Sequence, residues 1–466
     1  MEALLGICLF AIFLGALAIT IIYGQESTII AGDRVRATYI SEQSLEAVRA
    51  MRDNSFASVT AGTHGVWVNA SGQWAFSGSK VTLSGAYVSN VVVKSLAADW
   101  LTMSGSTSWK HGYNRAGTAA LLTEITNWQT KIAVGNWASP SVEGSYIPGG
   151  SPLFNRIAVA STTAYVACNS AAGIYLLDIS NTASPARVNN AFSIGFSASD
   201  VVIRGKRLYV LTSDPNAELK VYSITSPQSP VLITSYNLSG SALGTSLALG
   251  RNDLYVTAST PASGHQLYSF DVTNSGSLTL KGTLDDSDDA NMIALSGTSA
   301  YIASSVDTSE LRVVNAFYSG SVALIGGYNL SDRTLNGTAI AVSGTSAIIG
   351  TQAGAATQEM VMFDIGTGGI PGGSSGPWYH ETSGSLLGIS MDPYRCYTFL
   401  SVGSGHKAFQ IVDMRNKASL PELYSYDSAT GLARGVAYDL VRDRVYVLTD
   451  SAVLIFKPSA IGGTCP

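Results

Sequence analysis

The densest set of oxygen ligands in the sequence is the run "DDSDDAN", which supplies Asp285, Asp286, Asp288, Asp289 and Asn291. Carboxylates so closely spaced can hold Ca²⁺, but the loop register D-x-[DN]-x-[DN]-G is missing, which favours a solvated loop between strands. Asp178, Asp271, Asp364 and Asp413 each stand where an apolar stretch runs into a turn. Side-chain-to-backbone hydrogen bonds account for them better than a catalytic ring. His64, His111, His265, His380 and His406 are scattered, without HxxxH or HExxH spacing, so no zinc site is expected. Neither a G-x-S-x-G elbow nor a phosphate-binding glycine loop occurs. The expectation is a protein without catalytic residues or cofactor. Cys8, Cys168, Cys396 and Cys465 lack CxxC spacing. In an exported chain a disulfide can tie the tail through Cys465 to Cys396 or Cys168. Asn69, Asn237, Asn329 and Asn336 stand in N-x-[ST] sequons, the acceptor pattern of a glycoprotein.

Glu2 poses a different problem. It is followed by a run without a charged residue from Ala3 to Tyr23, long enough at ~1.5 Å per residue to cross a ~30 Å hydrocarbon core. A carboxylate in such surroundings is costly unless an opposite charge meets it. A secretory signal peptide would carry a basic n-region and a shorter apolar core, and the basic residues are missing. The helical pattern also continues. Ile29, Ile30, Val35, Tyr39, Ile40, Leu45, Val48 and Met51 fall mostly on one stripe, with Glu42, Glu46, Arg49 and Arg52 off it. The first proline is Pro140. One helix over about 2–54, apolar at 3–23 and amphipathic at 24–54, would be ~80 Å long.

The chain has 466 residues, of which only 13% are charged, with 47 glycines and a net charge of −5. That balance suits a β-rich extracellular protein, and the lack of a basic stripe argues against a nucleic-acid partner.

The two-part helix resembles the N-terminal spine of type IV pilins and pseudopilins. "EALLGICLFAIFLGAL" is similar to the segment that begins at their invariant glutamate, and "SEQSLEAVRAMRDNSF" to the helix end that precedes a small β head. The resemblance implies cleavage by a prepilin peptidase, methylation of the new amine and handling by a pilus assembly machinery. It also implies pairing of Glu2 with a neighbouring subunit's amine. Leu4, Leu5, Ile7, Leu9, Phe10, Phe13, Leu14, Leu17 and Ile21 would lie in the membrane before assembly and in the filament core afterwards. The family places its glutamate fifth in the mature chain and here it is second, so the expectation is that a leader and a few residues precede Met1.

Over 57–132 short alternating runs such as "HGVWVNASGQWAFSG" and "GAYVSNVVVKSL" indicate a small antiparallel head. Trp67, Trp74, Trp109 and Trp128 are expected in its core or on sheet faces. After a short linker at 133–138 the chain repeats. "AYVAC", "RLYVLT", "DLYVTAS", "SAYIASS", "SAIIGTQ", "YTFLSVG" and "RVYVLTD" recur about every 45 residues, the length of a four-stranded propeller blade. The seventh unit lacks a fourth strand, and a matching segment, "SPSVEGSYI", precedes the first. A seven-bladed β-propeller over 139–458, closed by strand 141–147 and followed by a tail at 459–466, is expected. Its units, "LLDISNTASP" and "VYSITSPQSP" above all, resemble LVIVD-type propeller repeats.

The combined expectation is α+β followed by all-β: a pilin-type helix packed on a β head, then the propeller. As a function it implies a homo-oligomeric extracellular pilus filament, with the propeller displayed for adhesion to a surface or glycan. A membrane-anchored propeller that never polymerises is the alternative, and a tethered propeller hydrolase the least favoured.

Overall fold

The computed structural model describes residues 2–97, 100–111, 115–126, 134–150, 152–188, 192–238, 242–250, 252–259, 265–273, 277–285, 289–305, 309–316, 322–330, 336–354, 358–366, 376–394, 396–403, 407–428 and 432–460. The chain divides into two compact units, Met1–Lys131 and Ile132–Pro466.

In the first unit helix α1 (Glu2–Asn54) runs unbroken, as its freedom from proline allows. Within its apolar half Thr20 and Thr28 donate back to the carbonyls of Ala16 and Gly24, at 2.8 and 3.0 Å, so these hydroxyls do not stand unpaired in an apolar surface. Seven strands follow: β1 (Gly62–His64), β2 (Val66–Val68), β3 (Trp74–Phe76), β4 (Val81–Leu83), β5 (Tyr87–Ala97), β6 (Trp100–His111) and β7 (Arg115–Thr126). The main sheet runs β1-β5-β6-β7 with β4 also on β5, and β2 and β3 form a separate hairpin. The C-terminal half of α1 packs on β5, β6 and β7. Leu45, Val48 and Met51 there meet Val91, Val93, Leu101, Met103 and Ile125.

The buried stripe differs from the large apolar one expected upstream. Asp33, Ala37 and Ser41 are buried, whereas Ile29, Ile30, Val35 and Tyr39 are exposed. The cause is close approach. A side chain at Gly105 on β6 would stand 2.9 Å from the Ser41 carbonyl oxygen, so only small residues fit between helix and sheet. The polar ones are satisfied there. Ser41 donates to Thr107 at 2.9 Å, Thr107 to Ser89 at 3.2 Å, and the Tyr87 hydroxyl to Asp33 at 2.6 Å. Trp109 is buried beside Ala37 and Tyr87, and Trp74 is half-buried. Trp67 stands on the β2–β3 hairpin at 49% exposure, on a sheet face and outside the core, and Trp128 lies outside the described residues.

In the second unit the described residues form seven four-stranded antiparallel sheets, numbered I to VII here in chain order. Their first strands are Leu153–Ala160, Ala198–Arg204, Leu243–Leu249, Ala290–Ser296, Gly337–Ser343, Leu386–Met391 and Ala433–Asp439. Each touches the next, and the last touches the first, a closed cycle consistent with a β-propeller. The second and third strands are buried almost throughout, as continuous apolar runs require between packed sheets. Tyr165, Tyr209, Tyr255, Tyr301 and Tyr446, the marks of the repeat, are all buried.

Sheet VII takes its fourth strand from β8 (Ser141–Tyr146), which pairs with Val453–Lys457. Arg444 and Glu143 fasten the join with an ion pair at 2.5 Å. The stretch expected to be a free linker is part of this unit from Val134 onward. Val134 and Trp137 are buried in the core of sheets VI and VII with Phe399, Phe409 and Phe456, and Asn136 bridges to Ala460. An indole left in water would forfeit the burial of its large apolar surface.

Candidate functional site

Every first strand of the ring carries a β-bulge at the same register. Pairing with the second strand steps over Asn155, Ser199, Thr245, Asn291, Thr338, Leu387 and Arg434. A bulge removes its extra residue from the ladder and re-aims the side chain. The first five use that freedom alike. Asn155, Ser199, Thr245, Asn291 and Thr338 donate to the carbonyls of Ala198, Gly244, Ala290, Gly337 and Leu386 on the next sheet, at 2.5 to 2.7 Å.

Leu387 and Arg434 interrupt the pattern on sheets VI and VII. There Arg156, beside the bulge of sheet I, reaches across. Its Nη1 donates to the carbonyl oxygens of Arg434 at 2.8 Å and Asn155 at 3.0 Å, and its Nη2 to that of Leu387 at 3.3 Å. Nη2 also lies 3.7 Å from the Met292 sulfur on sheet IV. Burial pulls the Arg156 guanidinium below its ordinary range, with the Asp200 charge opposing. Asp200 is pushed up by its own burial, although Ser246 Oγ and the amides of Val201 and Leu247 donate to it at 2.7 to 2.9 Å. Arg434 Nε pairs with Asp450 at 2.7 Å.

These residues surround a cavity of ≈ 320 Å³ lined by the bulge residues of sheets I, IV, V, VI and VII with Arg156, Ser305, Asn336 and Gln352. Its wall is amides, hydroxyls and guanidinium groups, which suit it to holding a hydrogen-bonding ligand. Among the described residues no three His, Cys, Asp or Glu side chains come together.

The second feature is the N-terminal half of α1. No described side chain from Leu4 to Gly32 is buried. Leu4, Leu5, Ile7, Leu9, Phe10, Phe13, Leu14, Leu17 and Ile21 are 47–70% exposed, and the helix is long and apolar enough to cross a membrane. Glu2 is its first residue.

The remaining residues singled out from the sequence are dispersed. Asp285 and Asp289 are exposed between sheets III and IV, and Asp286 and Asp288 lie outside the described residues. Asp178, Asp271 and Asp413 each accept the amide two residues on, at 2.8 to 2.9 Å, whereas Asp364 pairs with Lys417 at 2.5 Å. Asn237 and Asn329 are exposed. Asn69 caps its own hairpin, accepting from the amides of Ser71 and Gln73, and Asn336 stands at the cavity. Cys396 is disulfide-bonded, while Cys8 and Cys168 are free. The expected partner, Cys465, lies outside the described residues.

Sequence reading missed the bulge ring, because its members are seven residues of five types. It also missed the buried Glu218, Glu310 and Glu359, which accept the amides of Leu238, Leu330 and Thr382 at 2.7 to 3.0 Å. Their common place just ahead of the third strands of sheets II, IV and V was a signal available from the repeat.

The LVIVD repeat model matches residues 155–191, most of sheet I. No curated protein matches the chain. Among solved structures, a chain of "Crystal Structure of Mitotic Checkpoint Complex" is similar over 68% of this chain and 93% of its own, at 12% identity and a TM-score of 0.51. A likeness at that identity speaks to the fold of the ring and not to its activity.

Proposed function

We propose that this chain is a type IV pilin-like subunit of an extracellular, homo-oligomeric filament that displays a seven-bladed propeller for adhesion to a surface or glycan. The observation that carries the reading is the division of α1. Its C-terminal half is seated on its own sheet, and its N-terminal half offers apolar side chains all round, none of them buried among the described residues. Exposed apolar surface of that extent is driven out of water. Lipid covers it in the cytoplasmic membrane before assembly, and neighbouring helices cover it in the filament, so polymerisation exchanges one apolar environment for another. In this reading Glu2 meets a neighbour's terminal amine, and a prepilin peptidase and a pilus assembly machinery act on the chain. The head forms the filament wall.

The exposed helix equally suits an anchor that never polymerises, and one experiment separates the two. The chain is expressed in a host with its assembly machinery, and surface filaments are imaged for wild type, Glu2→Leu and Glu2→Ala. The filament reading expects wild-type filaments that repeat this chain helically, and variants that enter the membrane but do not assemble. Variants that assemble normally would refute the charge-pairing account. A wild type that stays in the membrane without filaments would leave the anchor.

A further inference from the structure

We propose that the cavity ringed by the bulge residues recognises an uncharged, polyhydroxylated sugar residue at the end of a glycan. This deepens the reading of the propeller as the binding part of the molecule and rests on it, but it does not depend on filament assembly.

The size is the first argument. A space of ≈ 320 Å³ lies at the small end of ligand pockets, enough for one or two sugar rings. The second is what remains after the protein's own hydrogen bonds are counted. Asn155 and Asn291 spend their amide nitrogens on the neighbouring sheet, which leaves their carbonyl oxygens as acceptors. Asn336 and Gln352 line the cavity, and among the described residues neither side chain has a partner. Donors and acceptors are therefore interleaved around one space, and each hydroxyl of a sugar offers both roles.

The third argument is charge. Arg434 is paired with Asp450, and Arg156 spends both Nη groups on three carbonyl oxygens. Most guanidinium donors are thus already engaged within the protein and offer an anion little direct pairing. Leu387 is the one large apolar side chain in the lining, so a lipid tail or an aromatic ligand would strand polar groups without partners.

The test uses the full chain in a detergent without a sugar headgroup. It is applied to an array of neutral and acidic glycans, and then titrated with the methyl glycosides of neutral hexoses and pentoses by calorimetry. The variants are Gln352→Ala and Asn336→Ala, whose side chains have no hydrogen-bond partner among the described residues, with Asn237→Ala, exposed just after the last strand of sheet II, as the control. The expected result is retention of neutral glycans and binding weakened at least about tenfold in both variants, with unchanged melting temperature and an unaffected control. Retention of neutral glycans undiminished by either variant would overturn this site while leaving glycan binding in place. Binding restricted to acidic glycans and abolished by salt would overturn the neutral class. A wild type that retains no glycan would overturn both the site and the glycan reading, while filament imaging would still stand as the separate test of assembly.

Discussion

Asp443 gathers three donors, two of them from a stretch 306 to 308 residues away in sequence. The amide of Gly135, the indole Nε1 of Trp137 and the hydroxyl of Tyr438 reach its carboxylate at 2.8, 3.1 and 2.8 Å. Its own backbone is left-handed, with φ of +53°, a region that asparagine tolerates better than most residues. Asp443→Ala would leave three donors unanswered and strain the turn. We expect a loss of about 2–4 kcal/mol, read as a lower denaturant midpoint together with solvent exposure of tryptophan fluorescence. Asp443→Asn keeps the backbone preference and one acceptor, so about half that loss is expected. Equal losses would show that the carboxylate's charge is the whole effect. Burial of the Tyr438 hydroxyl beside Asp443 pushes its titration up, so spectrophotometric titration should find that phenol silent through the ordinary tyrosine range.

At the scale of elements, two joins decide how the chain is assembled. In the first, α1 meets its sheet through Ala37 and Ser41 because Gly105 brings the backbones together. Ser41→Leu inserts bulk where none fits and is expected to cost about 1–3 kcal/mol or more. Tyr39→Ser on the exposed face should change thermal unfolding within about 0.5 kcal/mol. Under the filament reading the second variant should nevertheless impair assembly, which imaging would show. In the second join, β8 is held to sheet VII by Glu143 and Arg444. The hydrogen bond from Arg444 holds the Glu143 carboxyl below its ordinary value, against the opposing effect of burial. A carboxyl whose pKa is lowered on folding adds stability above its ordinary range near 4.5, and that stability fades as pH falls through the lowered value. Glu143→Gln should therefore lower stability by roughly 1.5–3 kcal/mol at pH 7. The gap to wild type should close as melting curves are repeated at successively lower pH below 4.5. A gap that stays constant down to strong acid would remove the ion pair as its cause.

For the molecule as a whole, one surface decides solubility. A chain begun at residue 30 keeps Asp33, Ala37, Ser41, Leu45, Val48 and Met51, the residues that seat α1, and discards the unpartnered half. It should be monomeric in water by light scattering, with the melting temperature of the parent and a circular dichroism lower only by the helical residues removed, while the parent requires detergent or polymerises. Aggregation of the shortened chain would mean that the apolar half supports the fold itself. The ring makes no such demand, because its last sheet is completed within the chain and every sheet has two neighbours, which leaves no open end to the array.

Much of this was legible in local pattern. The helix from Glu2 to Asn54 follows from a proline-free run of apolar then amphipathic residues, and the repeat of sheets from strand runs that recur with the tyrosines. The closing strand could be read because the last unit lacked a segment that an earlier stretch supplied. Each is a property of residues close together in sequence. The docked stripe of α1, the seating of Trp137 and the cavity were not legible, since each depends on what a distant segment presents. Asp33 and Ser41 are core residues because Tyr87, Thr107 and Gly105 meet them. Asn155 and Leu387 share a register only because two bulges fall at the same height in the ring. Local pattern specified the long helix and the recurring strand runs. Close approach and hydrogen-bond satisfaction, which exist only between folded elements, decided which faces meet and where a cavity is left between them.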